Sequence, residues 1–270
     1  MIEEWCEMDR NKILALLFSS LLIVCLLHAQ TDWKKELLPT GKLRVAVAVA
    51  PVGSAFWATK DPVSGNPRGV TPDLAEELAK ALGVQLELVV LPNSGEISTS
   101  KAWDVTFLPV DAEREKLVDF GPAYYTFEST YLVTSKSKIV NIDEVDRPGV
   151  RIAGIANTTT ARAAARSLKQ NTVIPVQTVE QIEAMLRSGE ADAAALGRDT
   201  LEGLSKKLPG TRILEGSFQK TGVAIAVPKN HPAALKYVSA FIEKAKASGL
   251  VQRILERAGI AGKVSAPGRP

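Results

Sequence analysis

Very few side chains in this sequence can do covalent chemistry. Of 270 residues, two are cysteine and two are histidine. Cys6 and Cys25 lie in or before an apolar N-terminal run, so the chain behind that run has no thiol. Disulfides, thiolate nucleophiles and cysteine metal sites are excluded together. His231, before Pro232 at a loop-to-helix junction, fits an exposed helix start better than a catalyst. What remains is recognition chemistry. Asn157, Thr158, Thr159 and Thr160 open an alanine-rich helical stretch, and the first turn of a helix carries amides that lack acceptors and attract anions. Capping needs one threonine, so three in a row leave hydroxyls to spare.

The elements that would position these residues alternate between strand and helix, the mark of an α/β fold. Leu43–Ala50 (LRVAVAVA) is a nearly all-apolar strand, as expected when both sheet faces are covered. In TPDLAEELAKALG, Thr71 reads as the cap, Pro72 as the first helical position and Gly83 as the stop. A strand over 85–91 follows, then Asn93 with Glu96 as a capping box, a strand over 103–108, a turn capped by Asp111 and a strand over 130–135. A second block repeats the logic: strands over 150–156, 173–176 and 191–196, with helices over 158–168, 178–188 and 198–208. A returning strand over 222–228 and helices over 233–248 and 250–258 close the chain. Two α/β blocks joined by an outgoing and a returning strand make a hinged cleft, a favoured place for a small ligand.

Three stretches resemble the family 3 solute-binding proteins, the polar amino-acid receptors of ABC importers, across residues 40–260. GKLRVAV followed by GVTPDLAEELAKALGV is similar to the family's strand and G-F-D-x-D-L-A helix; WDVTFLPVDAEREKLVDFGPAYY resembles its T-x-E-R-x-x-x-V-D-F block; the third runs from GVRIAGIANTTTARAAA through GEADAAAL to TGVAIAVPK. The resemblance implies a type II two-lobed clamp with two hinge-crossing strands. Residues 33–127 plus 223–263 would form lobe 1 and residues 128–222 lobe 2, with hinges near 126–130 and 220–223. It also implies that Arg114 pairs with a ligand carboxylate. A planar guanidinium matches two carboxylate oxygens where water is excluded; a surface arginine paired with Glu113 or Asp119 is the other reading. Asn157, Thr158, Thr159 and Thr160 stand where the family's G-T-T turn receives the same carboxylate.

The departures from the family pattern bear on the ligand. Pro109 replaces a hydroxyl residue and Gly197 an aspartate at the two positions that commonly hold a ligand ammonium, unless Asp199 substitutes. The expected ligand is therefore a carboxylate, an amino acid or, in preference, an organic acid without that group. Phe56 and Trp57 read either as an aromatic shelf for the ligand or as a lid over the first core. Asn93 and Ser94 would offer hydrogen bonds where the family often has an aromatic. Arg198 reads as a second cleft cation or as a solvated helix residue.

Composition is ordinary for a globular chain, 46% apolar and 23% charged. Ile13–Leu27 is an uncharged run behind Arg10 and Lys12, shorter than the usual bilayer span, and reads as a secretory signal peptide over residues 1–29, with an uncleaved anchor as the alternative. Met8 is an alternative start. The leader carries four acids (Glu3, Glu4, Glu7, Asp9) and two bases, so the chain behind it moves from +3 to +5. No basic run with interleaved aromatics suggests nucleic acid. The tail over 264–270 reads as disordered. The expected protein is a periplasmic, non-enzymatic monomer without cofactor or metal, delivering its ligand to a membrane ABC permease. An enzyme similar to cyclohexadienyl dehydratase on the same scaffold is the alternative, with Glu96 and Glu128 as the nearby acids.

Overall fold

The computed structural model describes residues 33–49, 54–260 and 264; the expected leader and most of the expected tail lie outside them. A helical turn over 33–37 precedes β1 (Leu43–Ala48), the short hairpin β2 (Thr59–Lys60) and β3 (Pro67–Arg68), α1 (Val70–Leu82), β4 (Leu86–Leu91), α2 (Ser94–Thr99) and β5 (Val105–Pro109). A 3-10 turn, Arg114–Lys116, leads into the long strand β6 (Val118–Val133). After a second such turn come β7 (Ile152–Ile155), α3 (Thr159–Ser167), β8 (Val173–Val176), α4 (Val179–Ser188), β9 (Ala193–Gly197) and α5 (Arg198–Lys207). β10 (Arg212–Ile213), β11 (Gln219–Pro228), α6 (Pro232–Ala247) and α7 (Leu250–Arg257) complete the order.

One sheet runs through the described residues in the order β4-β1-β5-β11-β6-β9-β7-β8, with β10 beside β6. Its two ends are parallel, β1 with β4 and β5, and β7 with β8 and β9. The centre is antiparallel. β6 pairs with β11 from Val118 to Ser129 and then with β9 from Ser129 to Val133, while Val223–Ala226 of β11 pairs with β5. Those two strands therefore carry the chain between the two halves of the molecule.

Burial follows the alternation of each strand. Val45 and Val47 of β1 join α1, α6 and α7 in one apolar core, whereas Ala46 faces Ile97, Trp103 and Leu108 on the opposite side. In the other half Ala194 and Leu196 of β9 pack with Ile182 and Leu201, and Ala193 and Ala195 with Tyr131 and Val145. Helices cover both faces, which is why β1 and β9 read as continuous apolar runs rather than alternating ones.

Two expectations are corrected. The strand expected over 130–135 is the end of a 16-residue strand; Gly121 and Pro122 sit beside register shifts in the β6–β11 ladder, where a bulge tolerates a proline. Thr71 lies inside α1 and its hydroxyl donates to the Trp57 carbonyl, so the cap is Gly69. Gly69 has φ 140°, and a Cβ there would lie 2.5 Å from the Ala55 carbonyl oxygen. Only glycine allows the loop carrying Phe56 and Trp57 to pack so closely on the helix start. Gly69→Ala should therefore cost about 1–3 kcal/mol of stability. Urea unfolding checks this: a lower midpoint at unchanged m-value is expected, and an unchanged midpoint would contradict the assignment.

Candidate functional site

The site lies where the carboxyl ends of β1, β5 and β7 and the start of α3 meet. A cavity of about 80 Å³ opens there. From the first half it is lined by Ser54, Trp57, Asn93, Ser94 and Pro109; from the second by Thr158, Thr159, Thr160, Gly197 and Thr200; Phe127 of β6 stands between them. Ala48, Ala58, Ile155, Val179 and Leu196 add hydrocarbon. No aspartate, glutamate, histidine or cysteine lines it among the described residues. Of the residues expected at the site, Asn157, Phe56, Arg114 and Arg198 stand outside the lining.

Arg114 is nevertheless tied to that lining. Asp111 Oδ1 accepts the amide hydrogens of Glu113 and Arg114 at 2.9 and 3.0 Å, fixing the turn that aims the side chain inward. The guanidinium donates through Nη1 to the Pro109 carbonyl at 3.1 Å, and through Nη2 to the Ser94 carbonyl at 2.9 Å and the Ser94 hydroxyl at 3.0 Å. Both partners are cavity residues. Arg114 is 1% exposed, its Nε has no acceptor, and no carboxylate among the described residues lies within ion-pair distance. Burial pulls its pKa down to about 9, opposed by the charge of Asp111 and assisted by the positive charge of Arg162.

The threonine run is arranged as a helix start. Asn157 has φ 59°, a left-handed conformation that asparagine tolerates. Thr158 caps α3, accepting from the Ala161 amide and donating to the Ile155 carbonyl. Thr159 donates to Asp111 Oδ2, and the Thr160 hydroxyl meets that of Ser129 at 3.1 Å. The spare hydroxyls thus have protein partners, while the first-turn amides of a helix have no acceptor within it.

Asp111 is the junction of the two halves. Its Oδ1 holds the Arg114 turn, and its Oδ2 accepts from Thr159 and from Arg162 of α3. Burial pushes its pKa up, but the Thr159 hydroxyl, the Arg114 amide and Arg162 outweigh that and hold it near 2. Nearby, Asn93 caps α2, accepting from Gly95 and Glu96, and donates across the cleft to the Gln177 carbonyl at 3.0 Å. The capping box expected with Glu96 is not formed; the Asn93 amide turns instead toward the Glu96 carboxylate at 3.3 Å. Gly95 touches the far side so closely that a Cβ would lie 2.8 Å from the Ala156 carbonyl oxygen.

The remaining expected residues have other neighbours. Phe56 is buried in the core against Tyr125, with ring centroids 4.4 Å apart, and Trp57 meets Phe127 edge-on at 5.5 Å. The Arg198 Nη2 donates to the Gly216 carbonyl at 2.6 Å, and its Nε lies 3.8 Å from Glu128, which also binds Lys220. Asp199 faces the Tyr125 hydroxyl; burial, the largest effect, with nearby Glu202 raises its pKa to about 6. Phe127 was not anticipated as a site residue, because its approach to Gly197 spans 70 positions of sequence and only the fold brings the two together.

A sheet whose two ends are joined by long central strands, with a cavity enclosed between the halves, defines a two-lobed ligand-binding clamp. The profile of the bacterial extracellular solute-binding proteins, family 3, matches residues 46–259, and the chain belongs to that family. Among curated relatives, it is 23% identical over 213 residues to the ABC transporter glutamine-binding protein GlnH of Bacillus subtilis (strain 168), covering 75% of this chain and 76% of the relative. It is 24% identical over 212 residues to a glutamine-binding protein of Geobacillus stearothermophilus, covering 74% and 78%. Among solved structures, the P235GK mutant of ArgBP from T. maritima superposes with a TM-score of 0.73 at 24% identity, covering 84% of this chain and 99% of that one. An ancestral amino acid-binding protein, AncCDT-1, described as a precursor of cyclohexadienyl dehydratase, gives 0.71 at 26% identity, covering 83% and 97%.

Because Asp111 is held as an anion near 2, its contribution is present above the ordinary carboxylate range and is lost as pH falls through about 2. At neutral pH, Asp111→Ala should loosen the cleft and weaken ligand binding about 10-fold or more. X-ray scattering should show a larger radius of gyration than wild type. Matching profiles and equal affinities would contradict the bridging role.

Proposed function

We propose that this protein is the substrate-binding receptor of an ABC importer and that it closes its two lobes on a small carboxylate. Arg114 of lobe 1 and the Asn157–Thr160 turn of lobe 2 form the two jaws of the anion site. Lobe 1 comprises residues 33–127 plus 223–263 and lobe 2 residues 128–222, with β6 and β11 as hinges. The observation that carries the reading is the buried guanidinium of Arg114. A cation removed from water is costly unless an anion compensates it, and Arg114 has three neutral acceptors, an Nε–H without one and, among the described residues, no carboxylate in contact. Membership of the family and the glutamine-binding relatives support the receptor role.

The ligand is a carboxylate that lacks an α-ammonium in preference to an ordinary amino acid. A buried ammonium needs an acceptor of strong hydrogen bonds, and among the described residues the cavity offers hydroxyls, one amide side chain and hydrocarbon but no acid. The same lining supports binding over catalysis, since a general acid or base must reach the reacting proton; prephenate or arogenate should be returned unchanged. The leader over residues 1–29, outside the described residues, delivers the receptor to the periplasm, where it acts as a monomer with its permease.

Arg114→Ala should lower affinity by roughly 30- to 1000-fold, corresponding to about 2–4 kcal/mol for a charge-assisted bidentate contact. The side chain also holds two backbone carbonyls, so the variant should melt lower as well, and calorimetry belongs well below its melting point. Affinity within threefold of wild type would remove Arg114 from the site. Thermal-shift screening of amino acids beside their hydroxy- and keto-acid analogues tests the class. The deaminated acids should stabilise more; tight, stereospecific binding of an L-amino acid would contradict it.

A further inference from the structure

We propose that Phe127 is the specificity-determining residue of the cavity, excluding a cation from its hinge end; this rests on the reading of the cavity as a carboxylate site. Gly197 ends β9 and caps α5, so any side chain there would project toward β6. That space is filled. A Cβ on Gly197 would lie 2.1 Å from Phe127 Cζ and 2.6 Å from Cε2, far inside van der Waals contact. The ring cannot easily retreat, because Phe127 is 3% exposed and is flanked by Trp57 at 5.5 Å and Phe56 at 6.3 Å between centroids.

Phe127 and Gly197 therefore work as a pair. The glycine admits the ring, and the ring forbids any acid at 197. Leu196, Val179 and Trp57 line the same cavity and add hydrocarbon, and the one polar side chain that α5 contributes to the lining is the neutral Thr200. Asp199, two residues further along, is engaged with the Tyr125 hydroxyl and does not line the cavity. An ammonium placed here would meet an aromatic ring, whose attraction is smaller than the desolvation penalty of a buried cation without an anionic partner. The part of the ligand that lies against Phe127 is alkyl or aryl.

The test compares Phe127→Ala, Gly197→Asp and the double variant by calorimetry. The probes are matched pairs: L-leucine with 4-methyl-2-oxopentanoate, L-phenylalanine with phenylpyruvate, and L-glutamine with its 2-oxo analogue. Wild type should favour the oxo acid of its best pair by about 10-fold or more. Gly197→Asp alone should bind neither member well, because ring and carboxylate cannot share the space. The double variant, with room for the carboxylate, should reverse the ratio by about 10-fold or more. Phe127→Ser, which needs no new side chain at 197, supplies a hydroxyl and should narrow the ratio even if the double variant misfolds. An unchanged ratio in Phe127→Ser, or in a folded double variant, would overturn the role of Phe127 while leaving the carboxylate site intact. Failure of wild type to bind either member of every pair would overturn the carboxylate reading and this inference with it.

Discussion

The guanidinium of Arg114 is buried without a carboxylate to answer it, and much of the local structure exists to make that tolerable. Its three hydrogen bonds go to two backbone carbonyls and one hydroxyl, neutral acceptors that satisfy N–H groups without cancelling the charge. Burial pulls its pKa down to about 9, the direction expected where the surroundings disfavour the cation. A paired carboxylate from the protein would relieve that burden and also remove the reason to bind an anion. The nearest acid, Asp111, is instead turned away, receiving the Arg114 backbone amide with one oxygen and the opposite lobe with the other.

Asp111 organises the turn that carries Arg114 and also holds the start of α3, so one carboxylate bears on both halves. Gly95 and Asn93 add contacts across the same gap. These contacts are few and polar, whereas each lobe has its own apolar core.

Much of this was legible in the sequence because it is local. The apolar runs at β1 and β9, the left-handed stop at Gly83, and the caps Asn93 and Asp111 are decided by neighbours within a few residues. The errors have nonlocal causes. Thr71 has the side chain of a cap, but the loop at Ala55 presses on the chain so tightly that Gly69 takes that place. Arg162 carried no signal at all, being one arginine in an alanine-rich helix; it matters because the fold sets it against Asp111 from the other lobe. The glycine at 197 could be read as a missing acid, yet not as a slot for a ring from β6.

The central claim is that the charge of Arg114 is completed by the ligand. The side-chain Nε–H of Arg114 has no acceptor, and its resonance can be observed by nitrogen-15 NMR and assigned by its absence in Arg114→Lys. Titration with a carboxylate that binds should shift that resonance in proportion to occupancy, more than any other arginine Nε–H in the protein. Saturable binding of the carboxylate that leaves the Arg114 signal in place, while another arginine responds, would contradict the account.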